Sequence, residues 1–124
     1  MPAPEDLRDR TKRYAIRIIQ FVDGVAQSVA GQVISKQLIR SATSVGANYR
    51  SARRARSKAE FIAKLQIVLE ESDECLYWLE LLKETRLAGN THVDGIIAEG
   101  NELTAIFVSA LKTARTQKAQ HHSL

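Results

Sequence analysis

Apolar side chains along the chain fall into four stripes, each stepping by alternating fours and threes, the spacing of a helical bundle seam. The first runs Leu7, Thr11, Tyr14, Ile18, Phe21, Val25, and the second Ile34, Leu38, Ser41, Val45, Asn48, Ala52, Ala55. The third runs Phe61, Leu65, Val68, Ser72, Cys75, Leu79, Leu82, and the fourth Val93, Ile96, Gly100, Leu103, Phe107, Ala110, Ala114. The pattern predicts helices over about 4–28, 32–56, 58–88 and 92–116 in a single domain, 1–124, with 117–124 as a disordered tail. Four stripes with short breaks argue for an all-α, antiparallel up-down-up-down four-helix bundle.

The breaks carry matching chemistry. Ser28 to Gly31 separates the first two helices, with Gly31 able to tolerate a left-handed backbone. Ser57-Lys58-Ala59-Glu60 reads as a capping box, so a tight corner, or a short kinked break, is expected before the third helix. Gly89-Asn90 should end that helix, and Thr91 can cap the fourth with Asp94 at its third position.

Composition sharpens the picture little until charge is mapped. At 124 residues, 44% hydrophobic and 26% charged, the chain can bury a core without disulfides or metals. The lone Cys75 fits a reducing compartment, no stretch is apolar enough to span a membrane, and the Met-Pro-Ala-Pro start does not read as a signal peptide. A cytoplasmic location is expected. The net charge of +4 is unevenly spread: 32–59 holds seven bases and no acid, whereas 60–90 holds seven acids and three bases.

The seven are Lys36, Arg40, Arg50, Arg53, Arg54, Arg56 and Lys58. At 100° per residue, the first five fall within an arc of about 140° on one side of the second helix, opposite its apolar stripe. Like charges at these spacings repel, and arginine's planar fork suits phosphate or carboxylate better than simple solvation. The basic face is therefore a candidate nucleic-acid-binding surface, with Arg56 and Lys58 at the corner; the alternative is a solvated face. Tyr49 beside Arg50 offers a surface on which a base could stack.

The third helix carries a second stripe, Ile67, Glu71, Glu74, Trp78 and Leu81, flanked by Glu70. A face mixing tryptophan, aliphatics and glutamates suits contact between copies, or Trp78 laps over a neighbouring helix of its own bundle. Arg50, Arg53 or Arg54 could pair with Glu70, Glu71 or Glu74, within one chain or between copies, leaving Lys36 and Arg40 without an obvious partner. Ser41 to Asn48 is small and polar, which permits close helix approach, and a buried Asn48 needs a hydrogen bond.

No catalytic constellation is found. There is no P-loop, Gly-x-Ser-x-Gly, Cys-x-x-Cys or Glu-x-x-His, and Cys75 lies on the core stripe. Neither enzyme activity, cofactor nor metal is expected.

Ile39-Arg40-Ser41-Ala42-Thr43-Ser44-Val45-Gly46-Ala47-Asn48-Tyr49-Arg50, followed by Ala52-Arg53-Arg54-Ala55-Arg56-Ser57-Lys58-Ala59-Glu60-Phe61, resembles the 23S rRNA intervening-sequence family. Leu65 to Leu82, with Glu70-Glu71-Ser72-Asp73-Glu74 and Tyr77-Trp78-Leu79-Glu80-Leu81-Leu82, is similar to it as well. Many members read Asn-Ile-Ala-Glu-Gly where this chain has Asn48-Tyr49-Arg50-Ser51-Ala52, which marks a divergent branch. The resemblance implies a bacterial, homo-oligomeric, pentameric bundle without catalytic residues. Similar bundles serve as accessory proteins of diversity-generating retroelements, where a basic barrel of subunits engages nucleic acid and a reverse transcriptase. It thus implies RNA or DNA and a nucleic-acid-processing protein as partners. The rival expectation is a protein-interaction scaffold whose arginines are used in subunit pairing.

Overall fold

The computed structural model describes residues 4–89 and 92–122, with side chains over 7–89 and 92–117. Four helices and no strand occur among them: α1 Pro4–Val22, α2 Val29–Arg53, α3 Lys58–Glu84 and α4 Val93–His122. α2 packs against α1 and α3, and α4 packs against α3 and α1.

The helix bounds differ from the stripes for identifiable reasons. α1 stops at Val22, not near 28, and a turn closes through Gly24 N–H to Phe21 and Val25 N–H to Val22. Val25 nonetheless packs into the core, so its place in the stripe reports burial and not helix. Ser28 caps α2, its hydroxyl accepting the Gly31 N–H at 3.1 Å. α2 ends at Arg53 and Ser57 caps α3, accepting the Glu60 N–H at 3.0 Å. Glu60 reaches back to the Arg56 N–H at 3.3 Å, so the expected capping box is present one residue out of register.

Gly31 does not use the left-handed backbone that glycine tolerates. It is the third residue of α2, and the positive-φ positions among the described residues are Arg86 (62°) and Gly89 (66°), both in the turn after α3. That turn ends α3 at Glu84, four residues before the expected end. Asn90 and Thr91, expected to stop α3 and cap α4, lie outside the described residues. α4 continues through His122 where a disordered tail from 117 was expected. The run Thr116-Gln117-Lys118-Ala119-Gln120 has good helix formers and no breaker, and local propensity alone can extend a helix beyond its apolar stripe. Residues 123–124 of that expected tail lie outside the described residues.

Every member of the first stripe is buried, as are Leu65, Val68, Ser72, Cys75, Leu79 and Leu82 of the third. Side chains such as Leu38, Leu79, Leu103 and Phe107 are sealed, each worth about 1.5–3 kcal/mol of burial. Two hydroxyls between α3 and α4 are bonded inside the core: Ser72 meets Thr104 at 2.7 Å, and Thr104 donates to the Gly100 carbonyl at 2.7 Å. Cross-helix polar contacts descend on one helix as they ascend on the other. On α3 and α4 they are Lys58 with Gln117, Gln66 with Arg115, Ser72 with Thr104 and Lys83 with Asp94. α1 is tied to α4 by Arg10, whose guanidinium grips Glu99 through two bonds of 2.8 and 2.7 Å and reaches Glu102 at 3.2 Å.

One buried side-chain polar atom is unsatisfied among the described residues. The Tyr14 hydroxyl has no hydrogen-bond partner within normal geometry, and burial beside Cys75 raises the phenol's pKa and pushes the thiol's up to about 12. The hydroxyl presses on Gly100: a Cβ there would meet it at 2.7 Å and Leu76 Cδ2 at 2.8 Å. Gly100→Ala should therefore destabilise the fold by about 1–3 kcal/mol through overpacking. Tyr14→Phe should be neutral or stabilising, because an unbonded buried hydroxyl costs about 1–3 kcal/mol, and should restore part of the Gly100→Ala loss. Urea unfolding of the three variants checks this; a Gly100→Ala chain as stable as the parent would show that the phenol does not close on residue 100.

Candidate nucleic-acid interface

The basic side chains of α2 divide into two zones. Arg50 and Arg53 lie in its last turn, Arg54 is its C-cap, and Arg56 follows in the α2–α3 corner; all are exposed. Lys36 stands about 21 Å from Arg50 along the helix axis, at 1.5 Å per residue. It too is exposed, and neither Lys36 nor any of the four arginines has a side-chain hydrogen bond or ion pair among the described residues.

α1 extends the arginine zone, which the sequence reading missed. Arg8, Arg50, Arg53 and Arg54 line one cleft of about 190 Å³. Beside it, Ala47, Arg50, Ser51, Arg54, Arg56 and Glu60 line a groove of about 420 Å³. Along α1, Arg8, Lys12, Ala15, Thr43, Gly46, Ala47 and Arg50 line a third, of about 440 Å³. Arg50 borders all three. Arg8 and Lys12 share a face of α1 by their spacing of four, but the acids around them in sequence hid the surplus that appears once α1 lies beside α2.

A helix C-terminus attracts bases, which offers a structural reason for Arg50 and Arg53. The macrodipole supplies only roughly half a negative charge, however, worth about 0.3–1 kcal/mol per exposed base. Four guanidiniums round one small cleft exceed that, and Glu60, the one acid lining these grooves among the described residues, is engaged in capping α3. The surplus positive charge is left facing solvent.

Arg40 behaves differently from expectation. The sequence offers it no obvious partner and makes Glu70, Glu71 and Glu74 candidates for Arg50, Arg53 or Arg54. Instead Arg40 itself spans to α3, bonding Glu71 at 3.0 Å and also Glu74. Ten to fourteen positions of helix, about 15–21 Å, separate Arg40 from Arg50, Arg53 and Arg54, too far for them to share these carboxylates within the chain. The Arg40 guanidinium holds the Glu74 carboxyl below its usual pKa, with help from the Trp78 indole N–H at 3.1 Å. A lowered carboxylate pKa contributes stability above the unfolded-state pKa that is lost as pH falls through the folded one.

The second stripe of α3 is thus partly turned toward α2. Trp78 is packed against the core, Leu81 is half-buried, and Ile67 and Glu70 are exposed, Glu70 accepting from Gln66. Lys58, at the corner, bonds Gln117 and lies over the Phe61 ring. Tyr49 cannot stack on a base, because it is buried with its ring 6.2 Å from that of Phe107. Asn48 is satisfied within α2 by the Ser44 carbonyl and hydroxyl. No cluster of three His, Cys, Asp or Glu side chains suited to a metal occurs among the described residues, and none of the described helices is long and apolar enough to cross a membrane.

A helical chain with this pattern matches the profile of the family described as 23S rRNA-intervening sequence protein over residues 6–109. The chain belongs to that family. Its fold is similar to the crystal structure of a protein of unknown function from the S23 ribosomal protein family of Bacteroides thetaiotaomicron. The two are 36% identical, with a TM-score of 0.79 over 88% of this chain and 97% of the other. No curated protein matches the chain. Membership accounts for the four helices and, through the matched span, takes in α2, α3 and the whole arginine zone.

Proposed function

We propose that this family member is a non-enzymatic, homo-oligomeric helical bundle that binds RNA or another nucleic acid through basic side chains of α2, in the cytoplasm. The observation carrying the reading is the group of exposed guanidiniums at Arg50, Arg53, Arg54 and Arg56, unpaired among the described residues and joined by Arg8. Arg40 and Lys58 contribute less, since both are engaged within the chain. Lys36 adds a separate contact. The descending order of the α3–α4 contacts supports an antiparallel up-down-up-down arrangement. Five copies, and a nucleic-acid-processing protein as a further partner, follow from the family resemblance.

One observation favours the scaffold alternative. Asp73, Glu80 and Glu84 are exposed on α3 and have no ion pair among the described residues, with Tyr77 half-exposed between them. Such a face could receive the arginine zone of a neighbouring copy or another protein. Titrating RNA binding by the full chain against salt, alongside its mass in solution, separates the two. Phosphate-dominated binding predicts a linear fall of log K with log salt while the oligomer persists. No binding at low salt would sink the nucleic-acid reading, and dissociation of the oligomer at high salt would favour the scaffold.

A further inference from the structure

We propose that the cleft between α1 and the end of α2 is a phosphate-monoester site, formed by Arg8, Arg50, Arg53 and Arg54, that seats the terminal phosphate of a nucleic-acid strand. The inference deepens the nucleic-acid reading and rests on it for the strand. Four guanidiniums line this cleft, and no acid does among the described residues. A backbone phosphodiester brings one negative charge, whereas a terminal monoester brings about 1.5–2 at neutral pH and presents three oxygens to planar forks. The cleft's volume, about 190 Å³, falls below the roughly 300–1,000 Å³ of ordinary small-molecule pockets, so it suits a compact charged group and not a whole nucleotide.

Its surroundings suit what would be attached to that group. The adjoining groove shares Arg8 and Arg50 with the cleft and runs over Ala15, Gly46 and Ala47, a floor with little side chain above the backbone. A terminal sugar and base can lie there with the phosphate held at one end. The groove on the other side, edged by Arg54 and Arg56, offers bases but also Glu60, and so is less suited to a dianion. The charge difference between the two phosphate types, and not base identity, is what the cleft reads.

The test uses the full chain and one short RNA sequence carrying a 5′-phosphate, a 3′-phosphate or hydroxyls at both ends, followed by fluorescence anisotropy at about 150 mM salt. A phosphorylated strand should bind about tenfold tighter than the hydroxyl-ended one, from the added charge-assisted bonds. Arg8→Gln and Arg53→Gln should each remove most of that advantage, whereas Lys112→Gln, an exposed lysine outside the cleft, should keep it. Inorganic phosphate should raise the parent's Tm above that in chloride of equal ionic strength, and Arg8→Gln should abolish the rise.

Equal binding of phosphorylated and hydroxyl-ended strands overturns the terminal-phosphate site while leaving the proposed function standing. A mononucleotide binding as tightly as the phosphorylated strand overturns the strand as the source and assigns the cleft to free nucleotides. If no strand binds but phosphate still raises Tm, the nucleic-acid reading fails and the strand assignment with it. If phosphate has no effect on Tm either, the cleft is not a phosphate site.

Discussion

Reversing Arg50 and Arg54 together, as Arg50→Glu/Arg54→Glu, is expected to weaken RNA binding on the order of 100-fold near 100 mM salt and to flatten the salt slope by about two. The magnitude follows from position. Arg50 borders all three grooves and Arg54 two of them, so the pair removes two phosphate contacts and places two carboxylates among Arg8, Arg53 and Arg56. Neither arginine has a partner among the described residues, so the fold should lose little and gain some relief of repulsion. Lys36→Glu, acting alone about 21 Å along α2, should have a smaller effect and flatten the slope by about one. Arg40→Glu should instead show its main effect on stability, because it sets a carboxylate against Glu71 and Glu74 across the α2–α3 contact. Affinity for RNA in the double variant matching the parent's would remove the arginine zone from the nucleic-acid surface. Unchanged RNA binding with a smaller solution mass would give those arginines to subunit contacts.

The division of labour among the bases was only partly legible in the sequence. Helical periodicity placed all of the first and nearly all of the third core stripe, because burial of every third or fourth residue leaves a direct trace in side-chain type. It also placed the bases on one side of α2. Periodicity along a single helix says nothing about which neighbour lies beside it. Arg40 lies on the edge of α2 toward α3 and finds two glutamates there, while Arg50 and Arg54 lie toward α1 and the open corner. That is a property of packing and not of the α2 sequence. Arg8 was hidden for the same reason: on α1 it is one charge in a mixed segment, and it joins the zone only through the α1–α2 contact. Tyr49 was misread because an aromatic beside an arginine fits a stacking site and a core edge equally well in sequence, and Phe107 decides between them only in three dimensions. Helix ends failed where a loop residue also packs inward, as Val25 does.

Gly31→Ala is expected to be the most damaging single small substitution in the chain, at about 3 kcal/mol or more. A Cβ on residue 31 would fall 1.9 Å from the Ala26 carbonyl oxygen and 3.0 Å from its carbon. Those atoms are backbone, so no rotamer change relieves the overlap. The segment cannot retreat freely either. The Ala26 N–H donates to the Leu87 carbonyl at 3.0 Å, tying the α1–α2 loop to the turn after α3. On its other side the Ser28 hydroxyl, which caps α2, accepts from Gly31 itself and would lie 3.3 Å from the new carbon. Moving Ala26 therefore loosens a loop-to-loop bond, and moving residue 31 loosens a helix cap worth about 1 kcal/mol. Gly46→Ala provides the contrast within the same helix. Its added Cβ would meet Thr11 at 3.6–3.8 Å, an ordinary contact, so the gain in helix propensity should stabilise the chain by about 0.5–1 kcal/mol. Denaturant unfolding of the two variants should move their midpoints in opposite directions. A Gly31→Ala midpoint equal to the parent's would mean that the glycine answers to something other than the close approach of Ala26, and that the loop can yield without releasing its bond to Leu87.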